Sequence, residues 1–363
     1  VDAKLFTNRS FSLSGTRLFL ILTVSLSIAA VVLDTIAGRA WNQGASLTTP
    51  LWICALATAG VGCWAVPFLR ALKAGQIIRE DGPKSHLKKA GTPTMGGAFF
   101  VPVGVLVSLL LTGFQPNVVA VSALTMAYAA IGFLDDWQII RQKSNKGISP
   151  RMKMGLQIAF AVAFCVWLAI SHPGITTVLL PFRIVLPLGF LFWGLACFVM
   201  VAESNATNLT DGMDGLAGGT VAIALLGLGA IVGHKFPELM VFCTAMSGAC
   251  VGFLVHNRNP ARVFMGDTGS LALGGALAGV GLLSNSLFAL LVLSGLFFWE
   301  TISVIIQVSY FKATKNAEGV GKRFFKMSPF HNHLELAGWT ETQVVSWFYG
   351  IAGILAGLSL LIH

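Results

Sequence analysis

The chain has 363 residues, 55% of them hydrophobic and only 11% charged, with a mean hydropathy of +0.78. A soluble domain carries roughly 25% charged residues, so a soluble globular protein is excluded. The net charge of +9 does not point to nucleic acid, because no soluble basic domain stands apart from the apolar runs. It suits membrane lipids with anionic headgroups and an anionic substrate equally well.

Apolar runs of about 20 residues cross a bilayer. Eleven read that way: 18–38, 51–71, 96–114, 118–136, 153–171, 184–203, 216–233, 239–256, 269–284, 287–311 and 342–362. Backbone groups in lipid must be satisfied internally, and the runs do not alternate as barrel strands would, so they are helices. The expected fold is all-α, a polytopic integral membrane helical bundle. The first run sits where a signal sequence would, but it is long, lacks a small-x-small exit and holds Asp34 near its end. It is read as a retained helix, which makes 1–50 an N-terminal extension and 51–363 the main membrane domain.

With the N-terminus inside, only Arg39, Arg183 and Lys235 of the 24 Lys and Arg residues fall outside. That distribution follows the positive-inside rule and puts the C-terminus outside. Inner connections (72–95, 137–152, 204–215, 257–268, 312–341) are longer and more polar than outer ones, so the working face is cytoplasmic. Cys54, Cys63, Cys165, Cys197, Cys243 and Cys250 all lie in apolar runs without metal-ligand spacing, and read as small core residues. Gly274, Gly275, Gly279 and Gly281 predict close helix packing. The lack of an internal repeat argues against transporters built from inverted halves.

The chemistry lies in the inner loops. Loop 72–95 carries Lys84, Lys88 and Lys89 before the turn Gly91-Thr92-Pro93-Thr94-Met95-Gly96-Gly97. Asp135 and Asp136 sit at the inner end of the fourth run, where acids oppose the helix dipole. A bound cation or a reacting phosphate accounts for that placement, and a solvated helix end is the bland alternative. Arg141, Lys143, Lys146, Arg151 and Lys153 follow. Positive-inside topology explains most of these charges, and the rest are available to clamp a diphosphate.

In Asn205–Gly219, Asp211 and Asp214 share a face if the turn is helical. Their spacing fails the calcium-loop pattern. Asn257 and Asp267 flank the next loop; Asp267, just before a helix start, reads either as a cap or as a hard-oxygen ligand for Mg²⁺. Glu300 lies deep in the tenth run, as a functional group or a neutral packing one. His331 and His333 lack the spacing of helical zinc hydrolases, which favours imidazole contacts to phosphate or sugar over zinc.

Together the segments KxGTPTMGG, GFLDDW, NLTDGMDGLA, NPARVFMGDTGSLALGG and MSPFHNHLELAGW, in that order, resemble the MraY family. These phospho-N-acetylmuramoyl-pentapeptide transferases belong to the polyprenyl-phosphate N-acetylhexosamine-1-phosphate transferases. The resemblance covers about residues 51–362 and implies a ten-helix core, with the first helix extra. It implies transfer of phospho-MurNAc-pentapeptide from UDP-MurNAc-pentapeptide to undecaprenyl phosphate, giving lipid I and UMP, with Mg²⁺ required, in a bacterial plasma (inner) membrane. Homodimerisation is a further implication.

Carried over by motif, Asp267 is the Mg²⁺ ligand, and Asp135 and Asp136 lie beside the reacting phosphates, with Asp135 as base or nucleophile. Asn208, Asp211, Asp214 and Asn257 match positions near the nucleotide-sugar. Lys89, Thr94 and Lys153 match substrate contacts, and His331 and His333 match the histidine motif. Relatives often have three consecutive histidines where Asn332 interrupts them here, so the middle imidazole is not essential in this chain. Ile139 stands where relatives often place Lys. A UDP-GlcNAc:polyprenyl-phosphate GlcNAc-1-phosphate transferase would use the acids identically. A cation-coupled transporter would instead hold its acids near mid-membrane.

Overall fold

The computed structural model describes residues 13–42, 45–72, 89, 91–142, 147–181 and 184–363. Lys84, Lys88, Lys143, Lys146 and Arg183 lie outside the described residues. A helix coincides with each apolar run. Among the described residues six helices are long and apolar enough to cross a membrane, or seven when a bent pair counts as one span.

Two helices form the interior. In α8 (Pro237–Asn257), 94% of the most apolar stretch is buried, against 22% in α1 (Gly15–Ile36) and α13 (Glu341–Ile362). Around α8 pack α2 (Thr48–Ala71), α3 (Gly97–Thr112) and α7 (Leu216–Val232). The second axis, α9 (Gly266–Leu283), lies between α4 (Pro116–Gln142) and α6 (Leu191–Thr210), and α5 (Pro150–Ser171) packs on both of those. Ile170, Phe198 and Leu361 stay exposed on the outer faces, as helices solvated by lipid require.

Lipid tails are as apolar as leucine, so close backbone approach holds the helices together. Gly248 rests on the Leu51 carbonyl, Gly252 on the Ala55 carbonyl, Gly97 on the Gly269 backbone and Gly274 on Ser204. A methyl group at any of these positions meets backbone atoms. Gly275, Gly279 and Gly281 also sit in contact, against Tyr128, Leu124 and Leu290.

Four boundaries differ from the sequence expectation. Helix α4 runs on to Gln142, so Asp135 and Asp136 lie inside a helix rather than at its end. The sixth run opens later, because β1 (Thr177–Leu179) and β2 (Val185–Pro187) pair as an antiparallel hairpin before α6. Pro187 cannot donate to a further ladder bond, and Gly189 at φ +54° turns the chain into the helix. Helix α6 then continues through the polar stretch to Thr210, because those side chains find partners. Asn205 Nδ2 donates to Gln157 Oε1 at 3.0 Å, and the Thr210 hydroxyl donates to the Ala206 carbonyl at 2.9 Å. The tenth run is broken into α10 (Leu287–Leu293) and α11 (Gly295–Ala313), bent by 68° at Ser294. There the Ser294 hydroxyl donates to buried Glu203 Oε1 at 2.6 Å.

Contacts at the two ends agree with the expected topology. At one end Asn117 Nδ2 donates to Glu238 at 2.9 Å, and Arg39 lies 3.1 Å from where a Cβ of Gly233 would be. The long polar loops meet at the other end. They include α12 (Phe330–Leu336) and the N-terminus of α13, which Thr340 and Gln343 close with a capping box.

Candidate active site

The acids converge where α4, α5, α6 and α9 meet. Gly132 allows the convergence: a Cβ there would strike the backbone of Asp267 and Thr268, so α4 lies directly against the start of α9. One turn on, Asp136 is buried and caps α9 from a neighbouring helix. Its Oδ1 accepts from the Asp267 amide at 3.1 Å, and its Oδ2 from the Thr268 amide at 3.0 Å and hydroxyl at 2.6 Å. These satisfy donors that a helix N-terminus leaves open. Asp136, expected beside the reacting phosphates, therefore spends its oxygens on holding Asp267 in place. Gly266, at φ +73°, makes the turn into α9 and has no room for a Cβ against Asp136 and Thr94. Thr94 is thus buried beside the same cap.

Asp267 does not cap its own helix. Its Oδ1 accepts from Asn208 Nδ2 at 2.8 Å, and its Oδ2 pairs with Lys153 Nζ. Asn208 also donates to Ser270 Oγ at 2.8 Å, which fixes α6 to α9. Asp135 faces Asp267 closely enough for the carboxylates to interact, with Lys153 also nearby, while its Oδ1 accepts from the Ile148 amide at 2.9 Å. Asp211 ends α6 in a non-helical conformation, so it and Asp214 do not share a helix face. Removal from water, then the charges of Asp267, Asp136 and Asp214, push the Asp211 carboxyl up to about 8, and a bond from the Gly266 backbone offsets this only in part.

Asp214 belongs to a second, adjoining cluster. Lys89 Nζ donates to Asp214 Oδ1 at 2.7 Å and to Glu341 Oε1 at 2.5 Å. Burial alone would lower the Lys89 ammonium, but the carboxylates of Glu341 and Asp214 hold it above its ordinary value. Asn259 Nδ2 donates to Asp214 Oδ2 at 3.1 Å and to Glu341 Oε2 at 2.9 Å. The Ala261 amide donates to Asp214 Oδ2 at 2.9 Å. Asn257 is buried and used at both ends, accepting from the Gly215 amide at 3.0 Å and donating to the Val263 carbonyl at 2.8 Å. It braces two loops rather than presenting a free amide. Glu341 and Asn259 were not singled out in the sequence. An acid in the first turn of α13 reads as a dipole partner, and only tertiary contact reveals its cluster.

The two histidines part company. His331 is buried, its Nδ1 lies 3.0 Å from Glu300 Oε2, and its Nε2 reaches the spot where a Cβ of Gly212 would be. It therefore borders the Asp211 turn, and Glu300 orients it. His333 instead stacks on Phe330 with ring centroids 5.5 Å apart and accepts from the Lys326 amide at 3.1 Å. Burial, then Lys326, lowers its basicity. Its contacts are with its own loop, not with the acids.

The donor set suits a hard divalent cation. Asp135, Asp136, Asp211 and Asp267 interact as like charges, whereas Lys153 is paired among them and Lys89 is engaged in the second cluster. Among the described residues no three His, Cys, Asp or Glu side chains form an arrangement that encloses a metal by itself. The hard carboxylate oxygens that converge here are of the kind that suits Mg²⁺, which keeps water and shares substrate phosphates.

Fold and site thus define a multi-pass membrane protein with its polar centre at one end of the bundle. Residues 118–285, which hold all five of these aspartates, match the model of glycosyl transferase family 4, and residues 89–101 match signature 1 of the phospho-N-acetylmuramoyl-pentapeptide-transferases. The chain belongs to the phospho-N-acetylmuramoyl-pentapeptide-transferase family. It is 65% identical to the member from a Nostoc species over 364 residues, covering 100% of this chain and 99% of the relative. The member from Nostoc punctiforme is 62% identical over 99% of this chain and 100% of its own length, and that from Microcystis aeruginosa 58% over 96% and 95%.

Proposed function

We propose that this protein transfers phospho-MurNAc-pentapeptide from UDP-MurNAc-pentapeptide to undecaprenyl phosphate, giving lipid I and UMP, on the cytoplasmic face of a bacterial plasma membrane. The observation that carries this is the meeting of Asp135, Asp211 and Asp267 with Lys153 at one end of an apolar bundle. A lipid phosphate must react at the bilayer surface with a donor arriving from water, and such a site serves both. The relatives named above supply the substrate class.

Phosphoryl transfer between anions needs neutralised charge and aligned attack more than covalent help from the protein. An oxygen of the lipid phosphate attacks the β-phosphorus of the donor, and the bond to the α-phosphate breaks, releasing UMP. Asp267 would hold Mg²⁺, with Asp135 and Asp211 beside it, and the ion would supply charge neutralisation. Asp135 accepts a remaining proton from the acceptor phosphate. Lys153 stabilises charge on the transferring group, and Asn208 orients Asp267. Asp214, Lys89 and Asn257 shape the loops that receive the nucleotide-sugar, and Thr94 lies beside the Asp136 cap of α9. His331 contacts phosphate or sugar from across the Asp211 turn, and His333 keeps its loop folded.

The test is UMP release by purified protein given UDP-MurNAc-pentapeptide and undecaprenyl phosphate, with and without Mg²⁺. Turnover with UDP-GlcNAc in its place would favour the GlcNAc-1-phosphate transferase reading. Ion flux across sealed vesicles without UMP release would favour a transporter.

A further inference from the structure

Helix α1 lies outside the part of the chain that carries the family motifs, yet both of its ends are tied to other elements, the inner one to a loop of the site. At the outer end Asp34 is fully buried. It accepts from the Leu47 and Thr48 amides, the Thr48 hydroxyl at 2.8 Å and Arg39 Nε at 3.0 Å. It thereby locks α1 to the N-terminus of α2. Between Gly15 and Asp34, both buried, the buried residues of the helix are Leu18, Leu22, Leu26 and Ala30, a spacing of four that faces the bundle.

The inner end meets the loop that builds the second cluster. Gly15 lies against the backbone carbonyl of Asn259, with no room for a Cβ. Thr16 Oγ1 accepts from Arg258 Nε at 3.3 Å, and the Arg258 guanidinium stands 5.4 Å from the centre of the Phe19 ring. Leu18 and Phe19 line one small crevice with Asp214, Asn259, Thr342 and Tyr349. The side chain of the residue that Gly15 touches, Asn259, bonds both Asp214 and Glu341.

We propose that α1 is an intramembrane strut that sets the position of the Arg258–Asn259 turn, and through it the Lys89–Asp214–Glu341 cluster that receives the nucleotide-sugar donor. Gly15, Thr16 and Phe19 are positioning residues and do not touch the substrate. This rests on the function proposed above for the identity of the donor. The contacts are specific in kind: a glycine for backbone approach, a hydroxyl and a ring for one guanidinium. A helix that merely filled lipid-facing surface would need none of them. Because α1 reaches the donor loops and not Asp135 or Lys153, it governs one substrate and leaves the other alone.

Two variants of the full-length protein test this. Gly15→Val pushes on the Asn259 carbonyl, and should raise the KM for UDP-MurNAc-pentapeptide about tenfold. The KM for undecaprenyl phosphate and kcat should stay within about twofold. Thr16→Val combined with Phe19→Leu adds no bulk, and should shift the donor KM the same way by about threefold. Ile28→Ala, on the exposed face of α1, should change neither KM. Hydrogen exchange at the Ala261 amide, which bonds Asp214, reads the coupling without any substrate and should speed up in both test variants. Unchanged Ala261 exchange in the folded variants would overturn the strut, whatever reaction the protein catalyses. Parallel changes in both KM values would also overturn it, because a general loss of packing acts on both substrates. Failure of the unaltered protein to release UMP would defeat the functional reading alone, leaving the exchange measurement to decide on the strut.

Discussion

Replacing Glu300 by Gln separates what His331 needs for catalysis from what the bundle needs for stability. Glu300 Oε2 lies 3.0 Å from His331 Nδ1, both side chains are buried, and Oε1 makes no hydrogen bond among the described residues. A glutamine of the same shape still offers an oxygen to Nδ1–H, so the ring keeps its orientation and presents Nε2 to the Asp211 turn. What it loses is the charge behind that bond. Charge-assisted hydrogen bonds are stronger than neutral ones by about 1.4 kcal/mol, which is about a tenfold loss in rate. Stability changes little, because an orphan buried oxygen becomes an orphan buried amide, and the cost stays within about 1 kcal/mol. Glu300→Leu goes further: it strands the Nδ1 donor, costs about 1–3 kcal/mol and frees the ring. The assay is UMP release at saturating substrates alongside a thermal melt. In a His331→Asn background Glu300→Gln should cause no further loss, since the glutamate acts only through the imidazole. Full activity in Glu300→Gln, or losses that multiply in the double variant, would refute the reasoning.

Three other substitutions separate the acids. Asp267→Asn should lower Mg²⁺-dependent turnover by more than about a hundredfold in a protein that still folds, and near-normal turnover would remove it as the metal ligand. Asp135→Asn should likewise stop turnover without lowering the melting temperature, because an asparagine oxygen still accepts from Ile148. Asp136→Asn should lower the melting temperature, because one of its two accepting oxygens becomes an amide facing donors, at about 1–3 kcal/mol; an unchanged melt would remove its role as the cap of α9. The last prediction concerns pH. In the folded, metal-free protein Asp211 keeps its proton up to about 8, whereas the unfolded chain loses it near 4. Between those values the folded state binds the extra proton, so this group makes stability fall as pH rises. Melts in chelator from pH 5 to 8.5 should show a shallower fall for Asp211→Asn, and an identical slope would contradict the assignment.

The membrane-spanning helices were legible because lipid tolerates little else: long apolar runs with few charges and no alternation form helices. The aspartate motifs were legible too, since acids beside apolar runs are costly without a partner. What could not be read was the partner of each acid. Asp135 and Asp136 are neighbours in sequence, but side chains about 100° apart on a helix meet different elements, one the site and the other the start of α9. His331 and His333 look equivalent in a line of text, yet only His331 points at Glu300. The break at Ser294 was invisible because the partner of its hydroxyl, Glu203, lies on another helix. Local sequence thus determined which segments enter the membrane and which residues carry charge, through solvation and helix period. Tertiary contact decided which carboxylates are structural and which are free for chemistry, because a carboxylate's role depends on the donors that reach it, and those come from distant parts of the chain.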